Sequence, residues 1–151
     1  MAQDEAKLTQ RLVGALYTEA MVLADEARAY FDRFGREERD GLDPMTRVGF
    51  SCESLKVTTR LMHIIAWLLT QRAVEAGELS VAQARRPSRR LGDEPESDKA
   101  VLAKLPDAAR SLVTSSRDLF ARCRRLDEAG PEVEPHASPA RSLLSRLERS
   151  F

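Results

Sequence analysis

The sequence predicts an all-α protein built as an antiparallel three-helix bundle, with a short amphipathic C-terminal segment. The first observation is composition: leucine, alanine and arginine are abundant, whereas aromatic residues make up only 5%. Side chains of this kind favour helices because they lose less rotamer freedom there than β-branched ones. The second observation is helical periodicity in three long stretches joined by modest loops. Nothing in the sequence indicates a sheet.

The first helix is predicted over residues 7–33. Its apolar positions recur at spacings of four and seven: Leu8, Leu12, Leu16, Leu23, Ala27 and Phe31. This periodicity lasts about seven turns and places the side chains on one face. Residues 34–42 then contain two glycines and a dense charge cluster, which is typical of a loop.

The second helix is predicted over residues 44–76. Asp43 can cap free backbone amides, and Pro44 is tolerated at the first helical position because its missing N–H would be unpaired anyway. Gly77 is the expected left-handed terminator. At a rise of 1.5 Å per residue, a helix of about 33 residues is ~50 Å long.

A capping box and a loop are predicted between the second and third helices. Ser80 and Gln83 have the spacing of a capping box, so a short helix through Ala84 is expected. Residues 85–98 hold two prolines, one glycine, four arginines and then four acids. That composition predicts a mobile surface loop.

The third helix is predicted over residues 100–129 and completes a bundle domain that spans residues 1–130. Its apolar face holds Leu105, Ala109, Leu112, Val113, Ser116, Leu119, Phe120, Cys123 and Leu126. Residues 131–151 are predicted to be a linker and a tail. Ser138 can cap an amphipathic segment that carries Leu143, Leu144, Leu147 and Phe151. This segment either packs back on the bundle or docks on a partner.

The second helix contains an unusual run, Leu61 to Leu69, that is apolar on every face. Such a helix must be buried on all sides, which a three-helix bundle alone does not provide. Either the C-terminal segment or a second copy of the chain covers the rest, and we favour a two-fold homodimer along this helix. The residues chosen for the core and the dimer contact are Leu61, Ile64, Ile65, Trp67 and Leu68.

Charge and hydropathy bear on other partners and on location. Basic and acidic residues number 24 each, so no global field attracts nucleic acid or an anionic membrane. The apolar run in the second helix is far shorter than the ~20 residues of a membrane span. The N-terminal stretch MAQDEAKLTQ lacks an apolar signal-peptide core, so we expect no export and a cytoplasmic location.

Catalytic and metal-binding motifs are not evident. His63 has no acid three or four positions away to orient it, so a core or interface histidine is the favoured interpretation. The four possible soft ligands, Cys52, His63, Cys123 and His136, share no close spacing, which disfavours zinc. No phosphate-binding loop or nucleophile motif is present. We therefore expect a non-enzymatic protein without a metal or cofactor.

The segment ESLKVTTRLMHIIAWLLTQRAVEAGELS, residues 53–80, resembles the signature helix of the RcdA family of alphaproteobacteria. The matching positions are Glu53-Ser54, Thr58, Arg60-Leu61, Ala66-Trp67-Leu68, Gln71, Ala73-Val74, Gly77-Glu78 and Ser80. The resemblance implies a dimerising three-helix bundle. It also implies an adaptor that helps to deliver a cell-cycle response regulator, CtrA, to the ClpXP protease alongside other adaptors. The implied mechanism is tethering, which raises the local concentration of the cargo.

Four polar residues that match the family are predicted to bind partners: Glu53, Arg60, Gln71 and Glu78. The alternative for Glu53 and Arg60 is a structural pair across the bundle. Two other functions stay open at this point. One is a nucleic-acid-associated regulator that uses the arginine-rich loop, although nearby acids cancel that charge and stacking aromatics are missing. The other is an enzyme that uses His63.

Overall fold

Six α-helices run through residues 2–130, which together with Leu147 are the residues described in a computed structural model of the chain. The helices are α1 (Ala2–Ala29), α2 (Arg36–Asp40), α3 (Pro44–Glu75), α4 (Val81–Ala84), α5 (Lys99–Ala103) and α6 (Asp107–Ala129). A π-helical turn, Tyr30–Phe34, continues α1, and a 3-10 turn, Pro87–Arg89, follows α4. No strand occurs within these residues. The three long helices pack against one another, which confirms the predicted all-α bundle.

The end of α1 differs from the sequence-based expectation. The π-helical turn closes with a hydrogen bond of 2.6 Å from the Gly35 amide to the Tyr30 carbonyl. A Cβ atom at residue 35 would lie 2.8 Å from that oxygen, so this turn requires glycine. The charged stretch that follows, expected to be a loop, contains α2. Tyr30 donates a hydrogen bond of 2.8 Å from its hydroxyl to Glu38, which holds α2 against the end of α1.

The ends of α3 are set by local chemistry. The Asp43 carboxylate accepts hydrogen bonds from the Thr46 amide at 3.2 Å and from the Thr46 hydroxyl at 2.6 Å. Pro44 occupies the first turn, and Gly77, just beyond the helix, has a positive φ of 76°. The capping box of α4 is confirmed, because Ser80 and Gln83 each accept a hydrogen bond from the other's backbone amide.

The third long helix begins later than residue 100. Residues 99–103 form the separate helix α5, and the chain turns before α6 begins at Asp107. Pro106 explains the break, because it has no N–H to donate and disfavours helical geometry at the residue before it. Among the buried residues of α6 are Leu112, Val113, Leu119, Phe120 and Cys123.

The core lies between α1, α3 and α6, and α3 contacts both of the other two. The buried apolar residues of α3 are Phe50, Val57, Leu61, Ile64, Trp67 and Leu68. At one end of the bundle the rings of Phe31 and Phe50 meet edge to face, with centroids 5.4 Å apart. Burial of these side chains against two neighbouring helices is the main stabilising contribution.

The segment that joins α4 to α5 is held to the bundle at several points. Leu91 is only 3% exposed and belongs to the core. Arg90 and Arg85 contact Asp127 of α6, and the carbonyl of Pro95 accepts a hydrogen bond from Arg60. The mobility that we expected for residues 85–98 stays a prediction, but this segment contributes to the core as well as to the surface.

Two further predictions concern the C-terminal segment and membrane-spanning helices. The linker and most of the amphipathic segment, residues 131–151 except Leu147, lie outside the described residues. Within the described part, no helix is both long and apolar enough to cross a membrane.

Candidate functional site

Two of the four predicted partner-binding residues point into the bundle. Arg60 is fully buried and Glu53 is 1% exposed. The Arg60 guanidinium donates hydrogen bonds to the Pro95 carbonyl at 2.8 Å, the Ser97 hydroxyl at 2.6 Å and the Ser116 hydroxyl at 3.3 Å. Its Nε atom lies 3.2 Å from the Glu94 carboxylate.

Ser97 links the two buried charges. Its hydroxyl accepts from Arg60 and donates to the Glu53 carboxylate at 2.6 Å, and Lys56 reaches the other Glu53 oxygen at 3.1 Å. Burial lowers the pKa of Arg60, although the neighbouring carboxylates of Glu94 and Glu53 oppose that shift. Glu53 and Arg60 therefore make an internal polar cluster through Ser97, and this cluster leaves neither side chain open to a partner.

The other two predicted partner-binding residues are more accessible. Gln71 is half-buried near the C-terminal end of α3, and Glu78 is exposed in the turn that follows. Nothing in the described residues tests whether they bind a partner. Their role stays a prediction.

The residues chosen for the core and the dimer contact lie mainly inside the monomer. Leu61, Ile64, Trp67 and Leu68 are buried, and Ile65 is half-buried against the core. The Trp67 indole N–H donates a hydrogen bond of 3.1 Å to Asp127. Trp67 is therefore already buried within one chain, and the dimer contact along this helix stays a prediction.

Within the described residues of one chain, the run from Leu61 to Leu69 is not covered on all sides, and cover of the rest by a second copy stays a prediction. Met62 is 64% exposed and Leu69 is 48% exposed. The reason is geometric: α3 packs on α1 and α6 with one side, and its opposite side lies against no other long helix of the described chain.

That opposite side of α3 carries an apolar stripe, which we call the outer seam. Its residues are Met45, Val48, Cys52, Leu55, Thr59, Met62, Ala66 and Leu69. They alternate at spacings of three and four, the repeat that lines the seam of a coiled coil. All except Thr59 are exposed. The stripe is ~36 Å long at 1.5 Å per residue. The heptad spacing of these residues is present in the sequence. The apolar run around Trp67 hides which face of α3 they occupy.

A second apolar surface lies where the N-terminal part of α1 meets the C-terminal parts of α3 and α6. This end groove has a volume of about 740 Å³. Its apolar lining includes Leu8, Leu12, Val13, Trp67, Val74, Val81 and Leu126. Its polar lining includes Glu5, Thr9, Gln10, Gln71, Glu75, Arg85 and Asp127. Burial raises the pKa of Glu75, and the nearby Arg72 opposes that shift.

The arginine-rich loop does not form one continuous basic patch. Arg90 contacts the Asp127 carboxylate at 3.2 Å, and Arg85 donates to the Asp127 carbonyl at 2.7 Å. These two side chains are therefore directed at α6, whereas Arg86 and Arg89 are exposed. Two of the four arginines are engaged in holding the loop on the bundle.

The remaining candidates for chemistry are dispersed. His63 is exposed rather than part of the core, and within residues 2–130 no acid is hydrogen-bonded to it. Cys52 is exposed and Cys123 is buried, and both are free thiols. No cluster of potential metal ligands occurs in the described part of the chain, and His136 lies outside that part.

Comparisons with known proteins agree with the fold. A family described as protein of unknown function (DUF1465) matches residues 4–151. No curated protein matches the chain. The crystal structure of RcdA from Caulobacter crescentus CB15 is similar, with a TM-score of 0.63 and 34% sequence identity. The match covers 77% of this chain and 88% of the RcdA chain. The chain therefore belongs to the RcdA (DUF1465) family.

Proposed function

We propose that this chain is a homodimeric, non-enzymatic adaptor that brings protein partners together in regulated proteolysis in the cytoplasm. The observation that carries the proposal is the outer seam, an apolar stripe too regular and too long for an ordinary surface. Membership of the RcdA family supports the choice of partners, a response-regulator cargo and the ClpXP protease with its other adaptors. A tethering adaptor needs surfaces that bind, not groups that react.

The geometry of the outer seam favours an antiparallel pair of α3 helices. A two-fold axis level with residue 57 would place Leu55 against Thr59 of the partner subunit and Cys52 against Met62 of the partner subunit. The remaining seam positions pair in the same way towards both ends. A seam ~36 Å long, widened by the flanking side chains, buries on the order of 1,000 Å² in total, which is about the minimum for a biological interface.

A dimer would assist tethering, because it presents two copies of each surface that lies outside the outer seam. A partner that engages both subunits gains avidity, because its second contact forms at a local concentration in the millimolar range. The two accessible family-matched residues, Gln71 and Glu78, lie beyond the C-terminal end of the seam or close to it. Their surfaces stay free when two α3 helices pair.

The dimer is tested by Leu55→Asp in the middle of the seam. Two carboxylates buried without partners oppose association, so we expect the mass in light scattering to fall from two chains to one. Val22→Asp is the matched control, because Val22 is 53% exposed on α1, away from the seam. A wild-type mass of one chain at micromolar concentration would refute the dimer.

The orientation is tested by cysteine cross-linking with a short bifunctional reagent. Met62→Cys should link efficiently to the native Cys52 of the other subunit in an antiparallel pair. The wild-type chain should link poorly. Efficient linking in the wild type would instead show that two copies of Cys52 face each other in a parallel pair.

The adaptor role is tested by immobilising the full chain and identifying the proteins that it retains from lysate of its own organism. We expect ClpX, a response regulator or another adaptor. The chain with Leu55→Asp should retain less of any partner that binds both subunits. Retention of nucleic acid or of an unrelated complex, with none of these proteins, would contradict the proposed partners.

A further inference from the structure

The end groove is an apolar concavity of about 740 Å³, and it is open at one end of the bundle. Leu8 is 67% exposed on its wall, and Leu12 and Val81 are also exposed. Along α1 the groove extends from Glu5 to Val13, a distance of ~12 Å at 1.5 Å per residue. A groove of this length holds about two turns of a helix.

The chain itself continues from this groove. Gly130 lines it, and 21 residues, 151 minus 130, follow in the sequence. Residues 131–138 alone reach at most ~29 Å when extended, which is more than twice the length of the groove. The amphipathic segment beyond them therefore begins within reach of every part of the groove.

The amphipathic segment has the matching chemistry. The distance from Leu143 to Phe151 is ~12 Å in helical form, so its apolar side chains span the groove. Its basic residues are Arg141, Arg146 and Arg149 and its one acid is Glu148, whereas the charged lining of the groove is the carboxylates of Glu5, Glu75 and Asp127 and the guanidinium of Arg85. Three arginines against one acid in the segment therefore meet three carboxylates against one arginine in the groove. Leu147, the one described residue of this segment, is helical and 53% exposed.

We propose that the segment 138–151 docks in the end groove of its own chain, with its leucines and Phe151 towards Trp67 and its arginines towards the carboxylates of the lining. Docking would bury the exposed part of Leu147 and of Leu8 at once. The tail then competes with any external helix for the groove. This inference concerns a contact within one chain and does not depend on the proposed adaptor role.

Competition from the attached tail lowers the apparent affinity of the groove for an added peptide. A tail on a short linker has a local concentration of about 1 mM. If the isolated segment binds with a Kd of about 0.1 mM, the attached tail weakens the binding of an added peptide by about 11-fold.

The test uses a fluorescein-labelled peptide of residues 138–151 and the full chain. The double variant Leu144→Asp/Leu147→Asp releases its own tail, so it should bind the peptide about tenfold tighter than the wild type.

Two controls assign the site. Adding Leu8→Asp to the double variant changes an exposed wall residue and should abolish peptide binding. Adding Val22→Asp, on α1 outside the groove, should leave it unchanged. Equal affinity of the wild type and the double variant, or no binding by the double variant, would overturn the proposal.

Cross-linking distinguishes the chain's own tail from the tail of a second copy. With Cys52 replaced by serine, Leu12→Cys and Leu144→Cys should form a disulfide within one chain. Leu55→Cys with Leu144→Cys, which places the first thiol on the outer seam, should not. A product of two-chain mass from the groove pair would show docking between copies and overturn the proposal as stated.

Discussion

Ser97→Ala tests whether the segment before α5 is held on the bundle by its link to two buried charges. The Ser97 hydroxyl lies 2.6 Å from both the Arg60 guanidinium and the Glu53 carboxylate. Alanine removes both hydrogen bonds and leaves each charge with one partner fewer. Bonds to charged groups contribute ~1.5–3 kcal/mol each, and since the two share one hydroxyl, we expect a loss of about 2–4 kcal/mol.

Urea denaturation followed by circular dichroism measures this loss. With a slope of ~2 kcal/mol per molar urea, the midpoint should fall by ~1–2 M. Ser88→Ala is the matched control, because Ser88 is exposed in the same connection between α4 and α5 and makes no contact with Arg60. The Ser88 variant should unfold like the wild type.

A second readout separates local release from global destabilisation. Trypsin cleaves after arginines that no proline follows, and the connection contains three of these: Arg85, Arg89 and Arg90. Release of the segment by Ser97→Ala should accelerate cleavage there before the helices are cut. If the urea midpoint and the cleavage rate both stay at wild-type values, the polar cluster does not hold the segment, and the expectation of a mobile loop gains support.

Two further predictions concern buried side chains. Trp67→Ala should lower the free energy of unfolding by ~3–5 kcal/mol, because Trp67 is buried and also hydrogen-bonded to Asp127; an unchanged urea midpoint would refute this. Burial raises the pKa of the Cys123 thiol to about 11, so little reactive thiolate exists at pH 8. The Leu55→Asp variant is expected to be a monomer, so Cys52 on the outer seam is accessible in it. After maleimide treatment of this variant, mass spectrometry should therefore find one label, on Cys52. Two labels before unfolding would contradict the burial of Cys123.

Local sequence signals were reliable where the physical cause is local. The Asp43 cap, Pro44 and Gly77 act on backbone groups within one turn, so the ends of α3 could be predicted from the residues alone. The same applies to the capping box of Ser80 and Gln83. The third predicted helix differs from the structure, because Pro106 divides it into α5 and α6.

Which side of α3 faces the core could not be predicted in the same way. The run around Trp67 is apolar on every face, so periodicity gave no preferred side. Only the positions of α1 and α6 decide that Trp67 is inside and Met62 is outside. Leu61, Ile64, Trp67 and Leu68 are therefore core residues of one chain, and the surface that pairs two chains stays a proposal.

By itself, the sequence determined that three long helices form, both ends of α3 and the family, because these depend on local backbone chemistry and on the order of the residues. Tertiary structure alone decided that Arg60 is a buried partner of Ser97 and not a surface contact. It also decided that the outer seam is open and that the end groove lies where the chain leaves the bundle. The physical reason is that exposure depends on which neighbours cover a side chain, and those neighbours are distant in sequence.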